Sequence, residues 1–345
     1  MKFINQLQYI REAVTILNNA ASDYLDLTKQ TQNLPEDCQA DLRRLSEIQT
    51  GAVEGLSAAQ IARYFQPLTA GRDCTGDYLG CFHTAPLGET LEEAAARYDG
   101  LTLEDRLLEV GSDDGGTPTL AEFTDYLGTL ELEDGARWQV LTALLHPEAH
   151  KSPLFDLLQY VVEKLRRRGG ELEEIFARRR AELEAWEQKK PILDLMREES
   201  TYELQPELLP AEMTVLLFEP FTLRGRIRDD GQSWFAVGAF LSHYASKRSR
   251  GLEKQEILGY GKVFSDGSKL EILRLLSQRS YINRELAEAL GLSTATISHH
   301  MSVLTELGLV RTTISANRVL YDLNRDKLKE LSAGMAAYFD ALTQG

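Results

Sequence analysis

The sequence predicts a mainly α protein. A helical N-terminal domain carrying a small β-pair is followed by a separate C-terminal module of short helices and a hairpin. Three observations predict this. Apolar residues recur at helical spacing through much of the first two hundred positions. Near Pro210 the pattern changes to short β-branched and aromatic runs. Past Ser265, capping residues and a turn glycine mark out helices joined by tight connections. The expected boundaries are a regulatory or partner domain over 1–250, with the β-pair near 211–240, a linker or bridging helix over 251–264, and a module over 265–345.

A chain of 345 residues suits about two domains at roughly 150 residues each, and 43% hydrophobic with 26% charged residues is a globular composition. No apolar run reaches the roughly 18 residues that span a bilayer. The opening "MKFINQLQYIREAV" interrupts every short apolar run with Asn, Gln, Arg or Glu, so no secretory segment is expected. Cys38, Cys74 and Cys81 are too few, and odd in number, for a disulfide framework. The expectation is a cytoplasmic protein without membrane contact.

Within the N-terminal part, "SPLFDLLQYVVEKLRRR" places Leu154, Leu157, Leu158, Val161 and Leu165 on one helical face. Gly169-Gly170 should stop that helix after a basic last turn. The next helix carries Leu172, Ile175, Phe176, Leu183 and Trp186 on a stripe, with Glu174 and Arg178 spaced to pair. The triple-arginine runs 166–168 and 178–180 sit beside glutamates and read as solvated helix faces. "GSDDGGTP" (Gly111 to Pro118) and "TAGRDCTGD" (Thr69 to Asp77) are loop chemistry, and Asp113-Asp114 reads as an exposed acidic loop. "MTVLLFEPF", then the turn signal Asp229-Asp230-Gly231 and the run "SWFAVGAF", form the β-pair. The basic stretch "SHYASKRSRGLEKQE" fits a linker or bridging helix.

In the C-terminal module, "SDGSKLEILRLLSQ" is one helix and "NRELAEAL" a second, with Asn283 as its expected N-cap. Gly291 stands where the chain must turn left-handed, which costs glycine least. Leu292 plugs the turn and Ser293 caps the third helix. Two helices joined by a tight glycine-containing turn follow the helix-turn-helix plan. On the third helix Ile297, Met301 and Leu304 share the buried face and His300 lies at its edge. Ala295, Ser298, His299 and Ser302 point outward, with Thr294 and Thr296 at the N-terminal end. A face that is small, hydroxylated and uncharged fits a major groove and offers hydrogen-bonding groups and methyls to base edges. The alternation of Val319, Tyr321 and Leu323, with a turn at Ser315-Ala316-Asn317, predicts a hairpin wing on which Arg311 and Arg318 would contact phosphate.

Charge supports the division. The net charge of -15 would repel nucleic acid if evenly spread. Residues 259–345, however, hold 10 basic and 9 acidic side chains, against 28 and 44 in the remainder. The acidity belongs to the first three quarters.

Residues from about Ser265 to Leu323 resemble the winged-helix domain of the ArsR-type bacterial transcriptional regulators. The resemblance rests on "ELAEALGLSTATISHHMSVLTELGLVR". It implies a winged helix-turn-helix that binds double-stranded DNA, and a homodimer in which the final amphipathic segment, with Leu328, Leu331, Met335, Phe339 and Leu342 in register, makes a contact. Members of that family sense metals through cysteines before the reading helix or through acids and histidines on the last helix. Here those places read "SYINREL" and "DKLKELSAGMAAYFDAL", with neither Cys nor His, so no metal and no cofactor is expected. An unknown small molecule or protein acting at the N-terminal domain would be the input.

Simpler readings stand beside these. A winged helix can serve protein contacts alone, His299 can be a solvent-exposed bystander, and His300 is better read as a hydrogen-bonded structural residue. The grouping Cys74-x6-Cys81-x-His83 matches no common zinc spacing, so buried thiols acting as small apolar groups are the plainer reading. The N-terminal part shows no phosphate-cradling glycine loop, no G-x-S-x-G elbow and no H-E-x-x-H, though an enzyme or interaction domain there remains the alternative.

Overall fold

The computed structural model describes residues 2–22, 24–30, 34–66, 74–82, 85–108, 119–130, 132, 134–189, 191–192, 202–203, 212–226, 234–245, 254–315 and 318–343. Outside them lie His83, the loop with Asp113-Asp114, the Asp229-Asp230-Gly231 turn, the middle of the expected linker, and Ala316 and Asn317 of the wing tip. The chain divides into two compact units. One comprises residues 1–110, 130–189 and 208–246; the other comprises 111–129, 190–207 and 247–345.

The first unit is built around α1 (Tyr9–Ala21), whose residues 10–19 are all buried. It packs against α2 (Glu36–Val53), α3 (Ala58–Phe65) and α9 (Lys151–Arg167). The shorter helices α4 (Thr75–Gly80), α5 (Leu91–Gly100), α6 (Leu103–Leu108) and α8 (Asp134–Leu145) complete the helical layer, with α10 (Gly169–Glu187) following α9. Ser57 and Thr90 each cap their helix through a reciprocal bond with Gln60 and Glu93, satisfying orphan N–H groups at both ends of the box. Leu154, Leu157, Leu158, Val161 and Leu165 are all buried, as their spacing predicts. The glycine pair, expected to end α9, instead opens α10: α9 ends at Arg167, and neither glycine has positive φ.

The expected β-pair belongs to a larger sheet. β1 (Lys2–Phe3), β3 (Glu212–Leu216) and β5 (Trp234–Gly238) run parallel, and β4 (Leu223–Arg226) lies antiparallel to β5, in the order β1-β3-β5-β4. β1 spans two residues and β4 reads Leu-Arg-Gly-Arg, so neither leaves an alternating apolar signal. The sheet is tied to α1 by polar bonds. The Glu12 carboxylate accepts from the Leu217 and Phe218 amides at 2.8 and 3.3 Å, and Asn19 Nδ2 donates to the Phe218 carbonyl at 2.8 Å. Glu12 is fully buried, and burial pushes its pKa up to about 8 despite those amides.

Arginines 178–180 do not form a solvated face. Arg179 has no exposed side-chain surface; its guanidinium meets Asp37 and Asp41 at 2.7 Å and Glu182 at 2.8 Å. Arg178 joins the cluster through Asp41 at 2.7 Å and also pairs with Glu174, as its spacing predicts. A buried guanidinium is tolerated only when its donors are met, and α2 and α10 are clamped together by this requirement. The local glutamates disguised a partner about 140 residues away.

The second unit contains α12 (Lys254–Phe264), α13 (Gly267–Leu276), α14 (Asn283–Leu290), α15 (Thr294–Glu306), the hairpin β6 (Val310–Ser315) and β7 (Arg318–Leu323), and α16 (Arg325–Thr343); α11 (Leu241–Ala245) precedes it in the other unit. This is a winged helix. Its core joins Tyr260 and Val263 of α12 to Ile272, Leu276, Leu286, Ile297, Met301, Leu304, Leu309, Val310, Tyr321 and Leu331. Two segments from outside the expected module belong to the same unit. Helix α7 (Leu120–Thr129) packs against α15, and β2 (Tyr202–Glu203) pairs in parallel with β6, giving the sheet order β2-β6-β7.

Candidate nucleic-acid interface

Helix α15 is fixed at its N-terminus and along one face. Asp266 caps α13 by accepting from the Ser268 and Lys269 amides. Helix α14 stops at Gly291, whose φ of 65° places it in the left-handed region that the turn requires. Ser293 then caps α15, its hydroxyl accepting from the Thr296 amide at 3.1 Å. Ile297, Met301 and Leu304 are 0–1% exposed and anchor the helix to the core, so its opposite side is fixed in direction. Truncating such a side chain to Ala would cost about 2–5 kcal/mol.

Asn283 does not cap α14. Ile282 holds that position, its amide donating to Glu285 at 3.0 Å. Asn283 is the first helical residue and is buried; its Nδ2 donates to Ser298 Oγ at 2.6 Å. An amide side chain turned inward has gained a partner across the motif, so the cap is left to the Glu285 carboxylate. This tie restrains the Ser298 hydroxyl, and the sequence hides it, because an Asn at a helix start also fits a local cap.

The eight residues singled out for contact with DNA fall into distinct environments. Thr294 and Ser302 are exposed. Thr296 is half-buried and shares a 2.8 Å hydrogen bond with the Ser293 hydroxyl. Ser298 and His299 are also half-buried. Arg311 is 50% exposed and pairs with Asp326 at 3.1 Å, so a phosphate would have to compete with a carboxylate for it. The side chains of Ala295 and Arg318 lie outside the described residues; Arg318 pairs with Ser315 across the hairpin in backbone register.

His300 is not hydrogen-bonded as expected. Its side chain is 12% exposed and its Nδ1 is buried without a hydrogen-bond partner among the described residues, 4.0 Å from the Asp266 carboxylate. Burial, helped by Lys269, holds its pKa below the ordinary value and so favours the neutral ring. On the wing, Tyr321 is buried and Val319 and Leu323 pack against the core, the alternation that their spacing predicts.

The thiols sit in the other unit. Cys38, Cys74 and Cys81 are buried and unpaired as disulfides. Cys74 Sγ donates to Asp77 Oδ2 at 3.0 Å, and burial raises its pKa well above the ordinary thiol value. Such a thiol is a poor nucleophile and a poor ligand. Among the described residues, no cluster of His, Cys, Asp and Glu could hold a metal ion, and no helix is long and apolar enough to cross a membrane.

Comparison with known proteins places this geometry. Residues 266–312 match the family described as bacterial regulatory protein, arsR family. The chain is 39% identical over 74 residues to the arsenical resistance operon repressor of Staphylococcus xylosus, a stretch covering 21% of this chain and 71% of that protein. It is 40% identical over 70 residues to the protein of the same name from Staphylococcus aureus, covering 20% of this chain and 67% of that one.

Proposed function

Because the chain belongs to the arsR family of bacterial regulatory proteins through its C-terminal winged helix, we propose that it is a sequence-specific transcriptional regulator that binds double-stranded DNA with α15 in the major groove. One observation carries this reading. Helix α15, fixed by Gly291 and Ser293, is anchored through Ile297, Met301 and Leu304; at 100° per residue Ala295, Ser298, His299 and Ser302 fall about 100° or more around it from Ile297, with Thr294 exposed at the N-terminal end, and these five residues bear no formal charge and no large apolar group. Thr296 at the helix N-terminus, with Arg311 and Arg318 on the wing, would meet phosphates and fix the register.

The protein acts as a cytoplasmic homodimer, reading two half-sites about one helical turn apart. The first half of α16 packs on the core through Leu328, Leu331 and Met335, while Phe339, further along, is 53% exposed and available to a second copy. The two relatives are named operon repressors, which favours repression as the output. The winged helix has no cysteine, and the three thiols of the chain are buried in the other unit. The input is a small molecule or protein acting through the N-terminal region, which contributes no catalytic role. Selection of genomic fragments with the purified full-length chain tests the reading. It should return one enriched sequence with two-fold symmetry; fragments no richer in any motif than the starting pool would refute it.

A further inference from the structure

We propose that α7 is a built-in plug for the reading helix, so that the arrangement seen in this structure is closed to DNA and opens when α7 leaves α15. The inference rests on the proposed DNA-reading role and goes beyond it by naming the regulatory contact.

Two independent observations point the same way. First, α15 packs against α13, α14 and β6, the elements of its own core, and also against α7. Helix α7 buries Phe123 and Leu127 to 1% exposure, yet neither belongs to the winged-helix core. It therefore approaches α15 from outside that core. The burial of His299 is consistent with such cover: at 100° per residue it lies about 160° around the helix from the fully buried Ile297. A side chain so far from the core should be open to solvent, and it is half-buried. Second, β2 takes the edge of wing strand β6 that faces away from β7, with Tyr202 opposite Thr312 and Glu203 opposite Thr313. Two segments distant in sequence thus lie on the two elements that would touch DNA.

With α7 on the outward side of α15, the two cannot both enter the groove. The major groove is about 12 Å wide and takes one helix of about 10–12 Å diameter. A second helix packed at an interaxial distance of about 8–10 Å makes a pair nearly twice that width. The sequence builds α7 for this task. Thr119 and Glu122 form a reciprocal cap, and Leu120, Phe123 and Leu127 make one apolar stripe, while Glu122 and Asp125 are exposed on the rest. Ten residues are too few for a helix to persist alone, so α7 holds its shape through what it packs on. The chain belongs to the first unit up to residue 110 and again from residue 130, so both ends of the plug are covalently joined to that unit.

A closed fraction lowers apparent affinity in proportion to the scarcity of the open state. The test measures binding of the full-length chain and of its F123A/L127A variant to the duplex recovered by genomic selection and to a scrambled duplex. The variant should bind the selected duplex at least tenfold more tightly, with its preference over the scrambled one retained. Equal affinities for the two proteins would overturn the plug while leaving DNA reading intact. Failure of both proteins to bind any duplex would overturn both. Should the variant fold poorly, hydrogen exchange on the unaltered chain decides. Added duplex should speed exchange across residues 120–129 and slow it across 294–306; protection of 120–129 that persists with DNA bound would overturn the plug.

Discussion

Ser298 sits where two demands meet, since its half-buried hydroxyl accepts a 2.6 Å bond from buried Asn283 and is also proposed to contact DNA. S298A and H299A should each weaken binding to the selected duplex by about 1–3 kcal/mol if the side chain contacts a base. R318A should weaken all sequences alike and reduce the salt slope by about one unit. Titration at several salt concentrations separates the two behaviours, and unchanged affinity in both α15 variants would refute this face as the reader. Glu12 supplies a second test at this scale. Burial raises its folded pKa from 4.5 to about 8, so the native state holds the proton more tightly than the unfolded chain. The associated stability is fully present below the unfolded value and is lost as pH rises through about 8. E12Q should flatten the fall in melting temperature across that window; an unaltered pH profile would contradict the assignment. Single residues were legible where chemistry is local. Gly291 and Ser293 could be read because a left-handed turn and a cap depend on neighbours. Asn283, Arg179 and His300 were misread because their environments are set by residues distant in the chain or by burial that spacing does not report.

Among the elements, the periodic ones were the most legible. The helix 151–167, the reading helix and the wing announce themselves through apolar spacing of 3.6 or 2, because each buries one face against a single core. The elements that escaped are short or borrow their stability. β1 and β2 are two residues each, β4 alternates charge with glycine, and α7 is a ten-residue helix whose packing partner lies some 170 positions on. The last helix carries a prediction of its own. Phe339 is 53% exposed beyond the part of α16 that packs on the core, so F339E should leave the monomer fold intact while breaking a dimer built through this helix. Sedimentation over a concentration series should show the unaltered chain as a dimer and the variant as a monomer. A variant that stays dimeric would move the contact to another surface.

For the molecule as a whole, the proposed function has a nearly neutral winged helix reading DNA and the acidic remainder restraining it. All members of the winged-helix core fall between residues 260 and 335, so a fragment over 258–345 carries its own core. It also leaves behind α7, β2 and an excess of sixteen negative charges, each of which opposes approach to phosphate. The most direct measurement is the affinity of this fragment and of the full-length chain for the selected duplex and a scrambled one across a salt series. The fragment should keep the preference for the selected duplex and bind the scrambled one more strongly at low salt than the full chain does. A folded fragment that binds both duplexes equally at low salt would contradict the claim that this domain reads sequence.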